Sequence, residues 1–340
     1  MNKMMKNHLG PIGGAIACFL TVFPGQQVTA QTNKVYRYVP ITIGAQKMQV
    51  TKRAKELLLQ GDFDSLTKLA QQYRNTKETF PDGTWKLNYF YDAFSGGNSN
   101  EWDTLLSRLD RWGQRETVDP APIIAYGNAY WAYGKQARGG GYASTVSREA
   151  WQVMHDRMQQ GYSRLMTEWK RCSICPGFFV VMMKLGIDDR QDPKVFMAFF
   201  DDGIKLEPTY LHLYGMKSYY LLPRWYGKPG ELRDFVLHTA DRYPEAALWI
   251  LWDLEYQGIC SNVFREESVD WNIIKPRLKK CITPGSVAQA NMLAYLADIA
   301  QDSQTRDAML DSVDDQLDAS RWRSQERLEE IAGAVNEQSK

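Results

Sequence analysis

The fold is decided by the central residues 195–243, which read VFMAFFDDGIKLEPTYLHLYGMKSYYLLPRWYGKPGELRDFVLHTADRY. Apolar residues recur there at helical spacing in three runs. The runs are separated by a tight turn at Glu207-Pro208 and by a Pro/Gly corner over residues 223–230. The stretch therefore predicts three successive helices joined by short links.

The same pattern extends to both sides of the central stretch. Gly61-Asp62 separates two helical runs within four residues, which is typical of a helical hairpin. The triple glycine at residues 139–141 ends another helix, because consecutive glycines disfavour helical structure. Ser147 is placed to cap the helix that follows.

These patterns predict an all-α, tetratricopeptide-like array of helical hairpins, an α-solenoid. The hairpins follow one another with short links and almost no strand pattern between them. The chain then divides into a signal peptide (1–30), a short extended arm (31–45), a helical-repeat domain (46–258) and a C-terminal helical extension (259–340).

The first thirty residues have the features of an export signal. Lys3 and Lys6 form a short basic region, residues 13–23 are apolar, and a small-residue cleavage site ends at Ala30. We therefore predict cleavage after Ala30 and a periplasmic or secreted protein. The alternative is a lipoprotein with lipid on Cys18, but most of the apolar residues would then follow the cut.

The charge balance limits the classes of partner. The chain has 340 residues, with 41 Lys and Arg against 40 Asp and Glu. A near-neutral chain lacks the basic excess typical of nucleic-acid binding, so we predict no nucleic-acid partner. No second apolar run reaches membrane length, so we predict no transmembrane span in the mature chain. The 11 Trp, 18 Tyr and 13 Phe make the chain aromatic-rich.

Four cysteines remain after the predicted cleavage, and an even count in an oxidising compartment predicts two disulfides. The simplest pairing is Cys172 with Cys175 and Cys260 with Cys281, and two other pairings are open. A redox Cys-x-x-Cys motif is disfavoured because a helix, and not a strand, precedes it. A four-cysteine zinc site is disfavoured because only one half has ligand-like spacing. We predict no cofactor.

Two loops and one helix carry the candidate binding residues, because arginine and aromatic side chains on a rigid scaffold often mediate recognition. The predicted ligand-binding residues are Trp131, Arg138, Tyr142, Arg224, Trp225 and Tyr226. Backbone N–H groups of residues 139–141, with Arg138, would hold a carboxylate or phosphate. In the competing interpretation Arg224 binds carbonyls at helix ends and Trp225 packs between hairpins.

No residue pattern identifies a catalytic centre, and we predict no catalytic residue. The three histidines after residue 30 are isolated, and no nucleophile motif is present. The carboxylate pairs Asp188-Asp189 and Asp201-Asp202, and Asp253 near Glu255, leave a polysaccharide-acting enzyme as the alternative. Adjacent residues of a helix point about 100° apart, however, so neighbouring carboxylates do not converge on one bond.

Several short motifs carry a family resemblance: GDFDSL at 61–66, DGTWKL at 82–87, YWAY at 130–133, ARGGGYA at 137–143 and LLPRWYG at 221–227. On these motifs the chain resembles the bacterial domain-of-unknown-function family numbered 4034, over roughly residues 50–255. The resemblance implies an all-helical, tetratricopeptide-like protein without an assigned activity. It does not cover the chain after about Ser261.

Together these features favour an exported helical-repeat scaffold that binds a peptide or protein partner of the cell envelope through an aromatic-lined groove. The alternative is a cell-wall or polysaccharide-acting helical enzyme, or its accessory module. A binding protein is favoured over an enzyme because the sequence has loops suited to recognition and no motif for catalysis.

Overall fold

Helices make up nearly all the regular structure of the protein, as seen in a computed structural model that describes residues 36–39, 42–96, 101–189 and 191–331. The seventeen α-helices of these residues are α1 (Ile43–Gln60), α2 (Phe63–Thr76), α3 (Lys86–Asp92), α4 (Trp102–Arg115), α5 (Ala121–Arg138), α6 (Arg148–Thr167), α7 (Trp169–Cys172), α8 (Pro176–Asp188), α9 (Pro193–Leu206), α10 (Leu211–Tyr220), α11 (Glu231–Arg242), α12 (Pro244–Tyr256), α13 (Val263–Glu266), α14 (Trp271–Lys279), α15 (Val287–Ile299), α16 (Ser303–Asp311) and α17 (Gln325–Ile331). Two short strands, β1 (Arg37–Tyr38) and β2 (Gln316–Leu317), complete the regular structure apart from two 3₁₀ turns. The predicted all-α array of helical hairpins is confirmed.

The central stretch folds as its sequence predicts, into α9, α10 and α11. The side chain of Asp192 accepts a hydrogen bond from the backbone N–H of Lys194 and caps α9. Gly230 precedes α11 with φ at 90°, a left-handed conformation that glycine adopts without strain. The predicted cap of α6 is also present, since Ser147 accepts from the N–H of Ala150.

Six helices form an inner row, α3, α5, α8, α10, α12 and α15, in which each helix contacts the next. Helices such as α8 and α12 are apolar around most of their circumference, which suits burial between neighbours, whereas the outer helix α4 has a single apolar stripe. Outer helices pair with the row as hairpins, for example α11 with α12. None of the described helices has both the length and the apolar character that a membrane span requires.

The two ends of the array are joined. Strand β1 pairs in parallel with β2, so the residues before α1 lie beside the residues after α16. A buried ion cluster makes a second junction: Asp82 Oδ2 accepts from Lys47 Nζ at 2.7 Å and from Arg321 Nη1 at 2.8 Å. We call Lys47, Asp82 and Arg321 the closing cluster. It links residues that lie 239 positions apart in the sequence, so the loop before α3 contacts the segment after α16.

The boundaries of the predicted parts differ from the structure in one respect. Helix α1 begins at Ile43, and the side chain of Thr42 caps it by accepting a hydrogen bond from the N–H of Ala45. The extended arm predicted for residues 31–45 therefore ends before residue 43. The described residues form one compact unit, and the predicted boundary between residues 258 and 259 lies inside it. The predicted signal peptide, 1–30, lies outside the described residues.

Candidate functional site

A cleft of about 570 Å³ lies along the inner row and is lined by residues of α3, α5, α8, α10 and α12. Gln257 and Ile259, which follow α12, also line it. Five inner helices therefore contribute side chains to one concave site. We call it the inner cleft.

Aromatic rings form much of the wall of the inner cleft. Tyr89, Trp131, Tyr219 and Trp249 all line it, together with the imidazole of His212. His212 lies between two of these rings, with ring centroids 5.6 Å from Tyr89 and 5.1 Å from Trp249. Rings of this kind provide large, rigid contact surfaces for a ligand.

Two ion pairs lie in the same wall. Asp188 accepts hydrogen bonds from Lys135 Nζ and Trp131 Nε1, both at 2.8 Å. Asp92 pairs with Lys184 at 3.3 Å, and the Lys184 ammonium lies 4.8 Å from the centre of the Trp131 ring. The two lysines of the wall therefore each have a carboxylate partner, and Trp131 is fixed in position by both pairs.

Asp253 is the third carboxylate of the inner cleft and differs from the other two. Its one hydrogen bond within the described residues comes from Gln257 Nε2 at 3.4 Å, and it makes no ion pair there. Burial raises the pKa of Asp253 to about 6. Gln257, Lys47 and Arg321 oppose this rise, whereas the charge of Asp82 adds to it. A strongly perturbed carboxyl in a cleft is a common mark of a functional site.

Two ring nitrogens of the wall are buried without a hydrogen-bond partner among the described residues: Nδ1 of His212 and Nε1 of Trp249. Burial, with Lys47 and Lys184, lowers the pKa of His212 to about 3, so its ring is neutral at neutral pH. A buried polar atom left unpaired costs about 1–3 kcal/mol. The wall of the inner cleft therefore has hydrogen-bonding capacity that the folded chain does not use.

Four of the six predicted binding residues lie in or beside the inner cleft. Trp131 lines it. The corner at 224–226 borders it, because each of its side chains contacts a lining residue. Arg224 and Tyr226 donate hydrogen bonds to the carbonyls of Ile259 and Ile187, respectively. The ring of Trp225 lies against that of Tyr219, with centroids 5.1 Å apart. These contacts agree with the competing interpretation, in which Arg224 binds carbonyls and Trp225 packs between hairpins. Trp225 nevertheless remains 41% exposed at the rim of the inner cleft.

The glycine loop at 139–141 differs from its predicted role as an anion cradle. Arg138 donates to the carbonyls of Gly139 and Gly141 at 3.1 and 3.0 Å, and the N–H of Gly139 donates to carbonyls at the end of α5. Nη1 of Arg138 is thus bound to the loop, and one of the three N–H groups is bound to α5. Tyr142 is 84% exposed and does not line the inner cleft. Burial and Asp188 raise the pKa of Tyr219 in the inner cleft, and Arg224 and Arg138 oppose that rise.

The four cysteines of the described residues are free and buried, so the predicted Cys172–Cys175 and Cys260–Cys281 disulfides were wrong. Two of the thiols have other partners. Cys175 Sγ shares a hydrogen bond of 3.4 Å with the hydroxyl of Tyr91, and Cys281 Sγ donates to the carbonyl of Leu278 at 3.1 Å. Burial raises the pKa of all four thiols, which leaves them unreactive packing residues.

The carboxylates named in the sequence separate into two groups. Asp188 and Asp253 line the inner cleft, although they lie on different helices. Glu255 instead accepts a hydrogen bond from the backbone N–H of Val263. In the described part of the chain, no three His, Cys, Asp or Glu side chains gather in a way that would hold a metal ion.

No family model, curated protein or solved structure matches the chain. The resemblance to family 4034 therefore stays a prediction, and the argument for function depends on the geometry of the inner cleft. Sequence reasoning missed Tyr89, Lys184 and Asp92 as parts of this site. The available signal was the presence of charged residues, such as Lys184, within the otherwise apolar helices of the inner row.

Proposed function

We propose that the protein is a helical-array binding protein that holds a peptide segment of a partner protein in the inner cleft. The observation that supports this most directly is the lining of the cleft, in which aromatic rings from several inner helices surround two ion pairs and one unpaired carboxylate. Its volume of about 570 Å³ lies within the range of about 300–1,000 Å³ that ligand sites commonly have.

A peptide segment suits this site for two reasons. The inner face of a helical-hairpin array presents a continuous surface that matches an extended chain. The ring faces would accommodate side chains of the peptide. The carboxylates of the wall would accept hydrogen bonds from its backbone N–H groups, and the ammonium groups would donate hydrogen bonds to its carbonyls. Trp225 and Tyr226, 41% and 37% exposed at the rim, would extend the contact surface outward.

The proposed location follows from the first thirty residues. If residues 1–30 are an export signal, the partner is a protein of the cell envelope. The charge balance of the chain, 41 basic against 40 acidic residues, supports a protein partner over nucleic acid.

Selection from a randomised hexapeptide library on the immobilised protein tests the proposal. We expect the selected peptides to bind at least tenfold more weakly to Tyr219→Ala, which removes a ring from the wall, as measured by fluorescence anisotropy. Tyr142→Ala is the matched control, because Tyr142 is 84% exposed and lies outside the cleft. Equal binding by wild type and Tyr219→Ala, with Tyr142→Ala impaired, would place the binding site in the glycine loop.

A polysaccharide-acting enzyme is the second candidate, because Asp188 and Asp253 line one cleft. The two carboxyls differ in environment: Asp188 is paired with Lys135, whereas Asp253 has a raised pKa. Such a contrast is typical of general-acid and general-base pairs. Release of reducing ends from a cell-wall polysaccharide, abolished by Asp253→Asn and by Asp188→Asn, would favour this candidate over peptide binding.

A further inference from the structure

The charges that line the inner cleft do not balance. Three carboxylates line it against two ammonium groups. Asp92 pairs with Lys184 at 3.3 Å and Asp188 with Lys135 at 2.8 Å. These pairs leave Asp253 as the lining carboxylate without an ion pair in the described part of the chain.

The charged groups outside the lining that influence the pKa of Asp253 belong to the closing cluster. Lys47 and Arg321 act on Asp253 electrostatically, but both are bound to Asp82, at 2.7 and 2.8 Å. Asp82 opposes their effect on Asp253. Arg321 also pairs with Asp318 at 3.7 Å, so both cations of the cluster have carboxylate partners and neither forms an ion pair with Asp253.

The remaining surroundings of Asp253 favour a cation over an anion. Trp249 lies one helical turn before Asp253 on α12, and Tyr89 shares the cleft with both. The faces of aromatic rings attract cations, and a neutral His212 adds no opposing positive charge. A carboxylate among aromatic rings is a recurrent arrangement for binding ammonium and guanidinium groups.

We infer that Asp253 anchors a cationic side chain, a lysine ammonium or an arginine guanidinium, of the peptide bound in the inner cleft. This assignment rests on the proposed function and adds to it a sequence requirement for the ligand. The cation would pair with the Asp253 carboxylate and lie against the rings of the wall, while the ion pairs of Lys135 and Lys184 stay intact.

The affinity of such a peptide depends on pH in a defined direction. The pKa of Asp253, raised by burial to about 6, means that this carboxyl is protonated in most free molecules at pH 5 and ionised in most at pH 7.5. A cation pairs with the ionised form only. Affinity therefore stays constant above neutral pH and falls as pH drops through 6.

Three hexapeptide libraries, acetylated and amidated at their ends and carrying lysine, arginine or norleucine at one fixed position, test the assignment. At pH 7.5 we expect wild type to retain the lysine and arginine libraries about tenfold more strongly than the norleucine library. That ratio should fall to about 2 for wild type at pH 5, where about a tenth of the Asp253 carboxyls are ionised, and to about 1 for Asp253→Asn at pH 7.5. Asp202→Asn, an exposed aspartate of α9, is the matched control and should keep the full ratio.

Each other outcome overturns a defined part of the argument. Equal retention of all three libraries by wild type would refute the cation site and leave peptide binding intact. A ratio that persists in folded Asp253→Asn, with its helical content checked by circular dichroism, would place the cation on another carboxylate. If no library is retained by the wild type, both the assignment and the proposed function are wrong.

Discussion

The closing cluster and the inner cleft each contain a buried or half-buried aspartate, and the two differ in how they are satisfied. Asp82 accepts from Lys47 and Arg321 and also from the N–H and hydroxyl of Thr84. Burial alone would raise the pKa of Asp82, but Lys47 and Arg321 outweigh it and the pKa is lowered. Among the described residues, Asp253 accepts one side-chain hydrogen bond, from Gln257, and burial raises its pKa to about 6.

This difference separates a structural role for Asp82 from the binding role proposed for Asp253. A buried charge is stable where several partners satisfy it, and Asp82 has four such hydrogen bonds. The bond from Arg321 joins the loop before α3 to the segment after α16, and the bond from Lys47 joins that loop to α1, so these bonds serve the fold. Asp253 retains unused capacity inside a cleft, and the chain gains no ion pair from it. Its charge is thus available to a ligand.

Asp82→Asn should change stability more than any other substitution that tests this comparison. The substitution leaves Lys47 and Arg321 without their shared carboxylate, and Arg321 is only 3% exposed. Breaking a buried ion pair from one side typically costs about 3–5 kcal/mol. We expect the free energy of unfolding, measured by urea denaturation at pH 7.5, to fall by about that amount.

Asp64→Asn is the control for the Asp82 prediction. Asp64 pairs with Arg115 at 3.0 Å, but both side chains are more than 60% exposed, at 68% and 61%. Exposed pairs contribute about 0–1 kcal/mol, so this variant should unfold almost as the wild type does. Similar small losses in both variants would show that the closing cluster does not hold the ends of the array together.

Asp253→Asn should raise the free energy of unfolding, whereas Asp82→Asn should lower it. At pH 7.5 the folded state holds an ionised, half-buried carboxylate without an ion pair, and the amide removes that cost. We expect the free energy of unfolding to rise by about 1–2 kcal/mol, after allowance for solvent screening of a half-buried group. A loss of stability of that size would mean that Asp253 is a structural residue like Asp82.

The pH dependence separates the two aspartates further. The folded chain keeps the proton of Asp253 up to about pH 6, whereas the unfolded chain releases it near pH 4, so this group lowers stability as pH rises between those values. The contribution of Asp82 has the other sign, since it is present at neutral pH and lost as pH falls below its unfolded pKa. The stabilising effect of Asp253→Asn should therefore shrink at pH 4.5.

The helices could be predicted from the sequence because each depends on local spacing. The runs at 195–243 contain their own apolar stripes and breakers, and they fold into α9, α10 and α11 as predicted. Burial also follows from local pattern, as in the apolar composition of α8. Local spacing does not show which helices contact one another.

The site could be predicted only in part, for that reason. Asp92, Asp188 and Asp253 come from three helices, and only the path of the inner row brings them to one cleft. The joining of Asp82 to Arg321 across 239 positions likewise has no local signal. The cysteines show the same limit, because an even count predicted pairing but did not show that Cys281 binds a carbonyl of its own segment, at Leu278.

Trp225→Ala gives the smallest expected change in stability and sharpens the comparison at the rim of the inner cleft. Trp225 is 41% exposed and lies against Tyr219, so we expect a loss of about 0.5–1.5 kcal/mol, the usual contribution of an aromatic pair, with unchanged helical content by circular dichroism. Trp112→Ala is the contrasting control, because Trp112 is 0% exposed and its loss should cost about 3–5 kcal/mol. If Trp225→Ala is as damaging as Trp112→Ala, the corner belongs to the core. A small loss accompanied by weaker peptide binding would instead assign Trp225 to the same site as Asp253, since its ring extends the wall that Tyr219 begins.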